Sequence, residues 1–266
     1  MPEIPNVYTQ PAAAAAYDRL PPYPGLIGRQ LAQRLVELVG RGARVLELSV
    51  GTSRLTAALL SAGARVVAID LGPQLLQSRE ATHTGTTAVR GDLQNLPFAT
   101  HSLDAALAVD LLHLVPHAMA LVREMKRVLH PGTPLILGSD WRDPTTIDAR
   151  IRTQWLHIVG DLVPDLPPPA VAAPTALLSS LSQADAQVEP ESALLEWSDQ
   201  VSAATMLDAI ATRQERESRW LSDPQLRHSV ELLNTWMFAQ HIDPHATDIA
   251  LREFRITLIR WPAGGS

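Results

Sequence analysis

The chain has 266 residues, a formal net charge of −6, and 46% hydrophobic against 19% charged residues. That length and balance describe one large or two small globular domains with material for a core, and exclude an intrinsically disordered chain. Cysteine is absent, which excludes disulfides, a thiolate nucleophile, iron–sulfur clusters and cysteine zinc sites, while 28 acidic against 22 basic residues weigh against a nucleic-acid partner.

The N-terminus MPEIPNVYTQPAAAAAYDRL has no basic n-region or long apolar segment, so it does not read as a secretory signal. The longest apolar stretches fall short of the roughly 18–20 residues that a bilayer span needs. The expectation is a cytoplasmic protein without a membrane partner. A short helix over 12–20 is expected to end at Pro21-Pro22.

From 44 to 139 short β-type runs alternate with helical patterns. Strands are expected at 44–48, 65–70, 87–91, 103–109 and 134–139, and helices at 53–63, 73–81 and 118–129. Gly63 and the pair Pro131-Gly132 stop the first and last of these helices. Near-continuous apolar strands alternating with helices imply a doubly wound, mostly parallel sheet covered on both faces. The lone lysine, Lys126, lies in REMKRVL with no Gly-rich loop before it, which leaves little room for Schiff-base or P-loop chemistry.

Beyond 139 the pattern loosens. Residues 140–162 read as helix, 165–174 as a Pro-rich connector, 175–184 as helix, 193–198 as a strand, 202–241 as helix with a break near Pro224, and 253–261 as a final strand. The charge run RQERESR (213–219) reads as a solvated helix face. The pairs His113/His117 and His241/His245 have zinc-like spacing, but Pro116 and Pro244 interrupt the turns and no H-E-x-x-H motif is present, so no metal is expected.

The stretch RVLELSVGTSRLT (44–56) carries the chemistry. A strand ends in an acid, a turn of small residues follows, and a helix begins. Small residues let the backbone approach a ligand, and the first turn of a helix offers N–H groups to anions. The dinucleotide pattern fits poorly, because its three glycine positions would fall on Ser49, Gly51 and Arg54. Asp70 closes the second strand, where a carboxylate can accept both hydroxyl hydrogens of a ribose.

With small residues at 49, 51 and 53, the turn Glu47-Leu48-Ser49-Val50-Gly51-Thr52-Ser53 resembles the E/D-x-G-x-G-x-G motif of class I S-adenosylmethionine (SAM)-dependent methyltransferases, with serines at two of the three glycine positions. The segment GDLQNLPFATHSLDAALAVDLLHLVP (91–116) resembles the G-D-x-x-x-L-P-F-x-x-x-x-F-D run of the small-molecule group related to ubiquinone and menaquinone methylases. REMKRVLHPGTPLILG (123–138) and AYDRLPPYP (16–24) are similar to further segments of that group. The resemblance covers roughly 16–140.

This resemblance implies the Rossmann-like class I fold over 1–266, with a lid segment at 1–30, a cofactor core at 44–140 and helical caps at 141–192 and 199–250, inserted after the fifth and sixth strands. It implies SAM as cofactor, S-adenosylhomocysteine (SAH) as product, and an unidentified small molecule as methyl acceptor. Cofactor contacts are expected from Tyr17, Glu47, Ser49, Gly51, Ser53, Asp70 with Leu71, Asp92 with Leu93, and Asp110. Glu47 is expected to orient the loop or meet the methionine amino group, and Asp92 to meet the adenine amino group. His113 is the candidate base, with pocket lining as its alternative. Asp70 and Asp92 as simple turn caps, and Trp141, Trp155 and Trp197 as core rather than acceptor-site aromatics, are the structural readings of the same residues. Two other functions stay open: a non-catalytic SAM- or SAH-binding relative whose serines at 49 and 53 have cost it the cofactor, and a nucleotide-dependent oxidoreductase.

Overall fold

A computed structural model describes residues 23, 25–48, 55–71, 85–110, 117–164, 175–215, 217–218 and 221–262. The five expected strands are present as β1 (Arg44–Leu48), β2 (Arg65–Asp70), β3 (Thr87–Arg90), β4 (Ala105–Val109) and β5 (Pro134–Arg142). All four pairings among them are parallel, with Leu48 level with Ile69 on β2 and with Ala108 on β4. Three shorter or later strands, β6 (Gln187–Val188), β7 (Ser192–Ser202) and β8 (Thr247–Arg260), complete an eight-stranded sheet of order β3-β2-β1-β4-β5-β8-β6, with β7 paired to β8. β6 runs antiparallel to β8. This is the expected α/β architecture with a mostly parallel sheet. Its strand order reverses between β1 and β4.

The described helices are α1 (Gly25–Val39), α2 (Thr56–Ala62), α3 (Ala118–Val128), α4 (Ile147–Leu162), α5 (Thr175–Gln183), α6 (Ala203–Ala211) and α7 (Asp223–Ala239). Gly63 stops α2 as its sequence position suggests: at φ +102° its N–H reaches Leu60 O and the next N–H reaches Leu59 O, both at 3.0 Å. Helix α1 falls in a stretch to which the sequence reading assigns no element, although Leu31, Ala32, Leu35 and Val36 form its buried stripe. The expected helices at 12–20 and 73–81 lie outside the described residues.

Three boundaries differ for local reasons. Residues 140–142 extend β5 instead of opening a helix, because Asp143 starts a turn: its Oδ1 accepts the Thr145 N–H at 2.9 Å and the Thr145 hydroxyl at 2.7 Å. The expected break near Pro224 falls just before it, between Ala211 and Asp223, so that Pro224 itself sits in the first turn of α7, behind a Ser222–Gln225 capping box. Strand β8 begins at Thr247, six residues before the expected start, because its first half turns charge inward: Arg252 and Glu253 are buried while Ile249 and Leu251 are exposed.

The chain divides into two compact units. One comprises the described parts of 22–140, 170–195 and 254–266. Its core joins Leu46, Leu48 and Ile69 of the parallel strands to Leu121, Val122 and Met125 of α3 and to Leu177 and Leu181 of α5. The other comprises the described parts of 141–169 and 196–253, cored by Trp155, Met206, Ile210, Leu233 and Met237. Trp155 is fully buried and donates to Ser229 Oγ at 3.0 Å, so its structural reading holds. The charge run at 213–219 is not a solvated face. Glu215 and Glu217 are buried and bound by arginines: Arg142 Nη2 and Arg152 Nε meet Glu215 at 2.9 and 2.7 Å, and Arg152 Nη2 meets Glu217 at 2.9 Å. Among the described residues no helix is long and apolar enough to cross a membrane.

Candidate functional site

In an open parallel sheet, ligands bind beyond the carboxyl ends of the strands where the order reverses. Here the order reverses between β1 and β4, and acids stand at or just past the ends of three adjacent strands. Glu47 is the penultimate residue of β1, Asp70 ends β2 and Asp110 follows β4. Glu47 and Asp70 are 7% and 6% exposed, a costly placement for carboxylates unless each has partners. For Glu47 one partner is Thr56, the first residue of α2, whose hydroxyl donates to Glu47 Oε2. Asp110 adopts φ +48°, the left-handed region that Asp tolerates better than most residues. Its N–H is held by Gly138 O of β5 at 3.0 Å. Leu71, next to Asp70, is 54% exposed.

The loop after β3 carries Asp92 and Leu93. Asp92 Oδ1 accepts the Gln94 N–H at 2.9 Å, so the turn-cap reading of this acid is realised; a carboxylate keeps acceptor capacity beyond one such bond. Leu93 packs against the core. Gly91 fits because a Cβ there would lie 2.8 Å from Ile69 Cδ1 and 3.1 Å from Pro97 Cδ. Two residues of α3 clamp the rest of the loop. Glu124 Oε2 accepts the Leu96 N–H at 2.6 Å, and Arg127 donates to Leu96 O at 2.9 Å and Phe98 O at 2.6 Å. Arg127 also donates to both Glu124 oxygens, at 2.8 and 2.6 Å. The hydrogen bond from Arg127 outweighs burial and, with the Leu96 N–H, holds Glu124 below the usual carboxylate range. Nothing within LPF or REMKRVL taken alone shows that one grips the other.

At the carboxyl end of β5, Tyr23 donates to Asp140 Oδ1 at 2.8 Å and stands edge-on to Phe254, with ring centroids 6.1 Å apart. Phe254 lies against Gly138, where a Cβ would come within 2.5 Å of Phe254 Cζ. Asp140, Thr56, Glu124 and Arg127 have no individual signal in the sequence, since each gains its role from a partner that only folding brings near. Tyr17, Ser49, Gly51, Ser53 and His113 lie outside the described residues. The described members of the expected set therefore stand at the ends of β1, β2 and β4 and in the loop after β3, on four strands that pair side by side.

The donor set of a SAM molecule suits this edge. Its ammonium, ribose diol and adenine amino group are all hydrogen-bond donors, and the edge presents carboxylate acceptors.

Residues 46–137 match the family model described as a methyltransferase domain. An uncharacterised methyltransferase of Mycobacterium tuberculosis (strain ATCC 25618 / H37Rv) is 33% identical over 153 residues, which are 57% of this chain and 57% of that protein, so the alignment spans little more than half of that relative's length. A demethylmenaquinone methyltransferase of Mycobacterium sp. (strain KMS) is 30% identical over 180 residues, covering 67% of this chain and 71% of that protein. Among solved structures, a methyltransferase-like protein of Bacillus halodurans C-125 aligns with a TM-score of 0.56 at 17% identity, over 88% of this chain and 99% of that one; at that identity the likeness speaks for the fold.

Proposed function

This chain belongs to the class I SAM-dependent methyltransferases, and we propose that it transfers the methyl group of SAM to a small-molecule acceptor. The observation that carries this reading is the row of carboxylates, Glu47, Asp70 and Asp110, at the ends of adjacent parallel strands beside the β1/β4 reversal. In this proposal Asp70 accepts the two ribose hydroxyl hydrogens, with Leu71 against the adenine face. Asp92 accepts from the adenine amino group, and Leu93 borders the ring. Glu47 accepts from the methionine ammonium, Ser49, Gly51 and Ser53 line the loop between them, and Asp110 bounds the methionine end. Tyr17 closes over the cofactor from the N-terminal side.

When bound, the sulfonium supplies an activated methyl group and a good leaving group. What the chain must add is alignment of the acceptor in line at near-attack distance and exclusion of water. A base is needed only where the acceptor is a hydroxyl or an ammonium at the working pH, and His113, three residues beyond Asp110, is the candidate to take that proton. Residues 1–30, 141–192 and 199–250 are the segments proposed to cap the acceptor. The net charge of −6 favours a small molecule over a nucleic acid as acceptor.

Incubating the protein with methyl-labelled SAM and a fractionated cell extract tests the acceptor class. Label is expected in a low-mass product resolved from SAM and absent without the protein, and label confined to RNA, DNA or protein would overturn the small-molecule reading.

A further inference from the structure

Glu47 is the penultimate residue of an inner strand, level with Ala68 on β2 and Leu107 on β4, which are 0% and 1% exposed. A carboxylate set between apolar neighbours needs a reason to be there and a group that aims it. The aiming group is Thr56. It is fully buried, lies nine residues further along the chain, and gives its hydroxyl hydrogen to Glu47 Oε2. A threonine has one such hydrogen, so its use here fixes the direction of the bond, and the helical backbone restricts the threonine to few rotamers. A rigid donor on one oxygen helps to aim the carboxylate, and a carboxylate accepts from several donors at once, a cationic one included.

We propose that Thr56 is a positioning residue for cofactor selectivity: it sets the Glu47 carboxylate so that it meets the ammonium group of the methionine moiety. The inference rests on the SAM reading of the site. It assigns to a residue of α2, beyond the glycine-type turn, the choice of a ligand that carries an ammonium over one that does not. Preorganisation is what the hydroxyl contributes, since a carboxylate already fixed in place loses less freedom when the ligand arrives.

The test is a ratio, measured by calorimetric titration of the full chain with SAH and with its analogue lacking the homocysteine amino group. Wild-type protein is expected to favour SAH by about tenfold or more, the usual scale of a charge-assisted hydrogen bond. Thr56→Val, which keeps shape and removes the hydroxyl, is expected to bring the ratio close to one by weakening SAH alone. Thr56→Ser is expected to restore it, and Glu47→Gln to lose it as Thr56→Val does. Should Thr56→Val not fold, Thr56→Ala removes the same hydroxyl with a smaller side chain and is held to the same ratio. Equal weakening of both ligands by Thr56→Val would mark a merely structural role and overturn the inference, as would an unchanged ratio or a wild-type protein that binds both ligands alike. A wild-type protein that binds no SAH would overturn the SAM reading itself, and this inference with it.

Discussion

Gly138 shows how tightly single side chains are set around the carboxyl edge. An added Cβ would lie 2.5 Å from Phe254 Cζ, 3.0 Å from Phe254 Cε1 and 3.3 Å from Val109 Cγ2. Phe254 is fully buried and its ring also meets Tyr23, so it has little room to yield. Gly138→Ala is therefore expected to destabilise the fold by about 1–3 kcal/mol, the usual cost of overpacking, read as a lower midpoint in urea unfolding. Unchanged stability would mean that Phe254 can move aside. Asp110, two strand ends away from Asp70, adds a second local constraint through its left-handed backbone.

At the scale of elements, the grip of α3 on the loop after β3 links a motif to its support. Arg127→Ala removes two donors to backbone carbonyls and the partner of Glu124, and is expected to cost about 1–3 kcal/mol of stability. It is also expected to weaken SAH binding through misplacement of Asp92, which is checked by titration of the folded variant. The pH dependence follows from the lowered Glu124 carboxyl. Its contribution is complete above the ordinary carboxylate pKa and is lost as pH falls through the depressed folded value. Strands β1, β2, β4 and β5 are legible because they are built on near-continuous apolar runs, and the acids at or just past the ends of β1, β2 and β4 stand out against that background. Helix α1 has helical apolar spacing at Leu31, Ala32, Leu35 and Val36 that is legible in principle, but no Ser, Thr, Asp or Asn just before it marks its start. The clamp and the Tyr23–Asp140 bond were not legible, because partners 28 to 117 residues apart leave no local pattern.

For the whole molecule, the two units are stabilised differently. The parallel-sheet unit joins a continuous apolar core to buried carboxylates, Glu47 and Asp70, at its strand ends, whereas the other buries ion pairs of arginine with glutamate. Glu215 illustrates this: burial would raise its pKa, but the charges and hydrogen bonds of Arg142 and Arg152 bring it down to about 2 from 4.5. A depressed carboxylate stabilises the fold fully above its unfolded value, so this contribution is complete above about pH 4.5 and disappears as pH falls toward about 2. Glu215→Gln is expected to cost about 2–3 kcal/mol near neutrality, below the figure for a fully buried pair because both arginines retain some solvent. Its deficit relative to wild type should shrink between pH 4.5 and 2, with tryptophan fluorescence, to which Trp155 buried in the same unit contributes, as the probe of unfolding. A deficit that stays constant with pH would assign the loss to packing. The run at 213–219 misleads as sequence because alternating charge has the composition of a solvated face; its arginine partners at 142 and 152 come from a different part of the chain.

The central proposal is that the carboxyl ends of β1, β2 and β4 hold SAM. Calorimetric titration of the full chain and of Asp70→Ala with SAH tests it most directly. The prediction is saturable one-site binding by the wild type and affinity lower by about tenfold or more in the variant, the scale of hydrogen bonds to a charged acceptor. No binding by the wild type at millimolar SAH, or equal affinity in the two proteins, would contradict it.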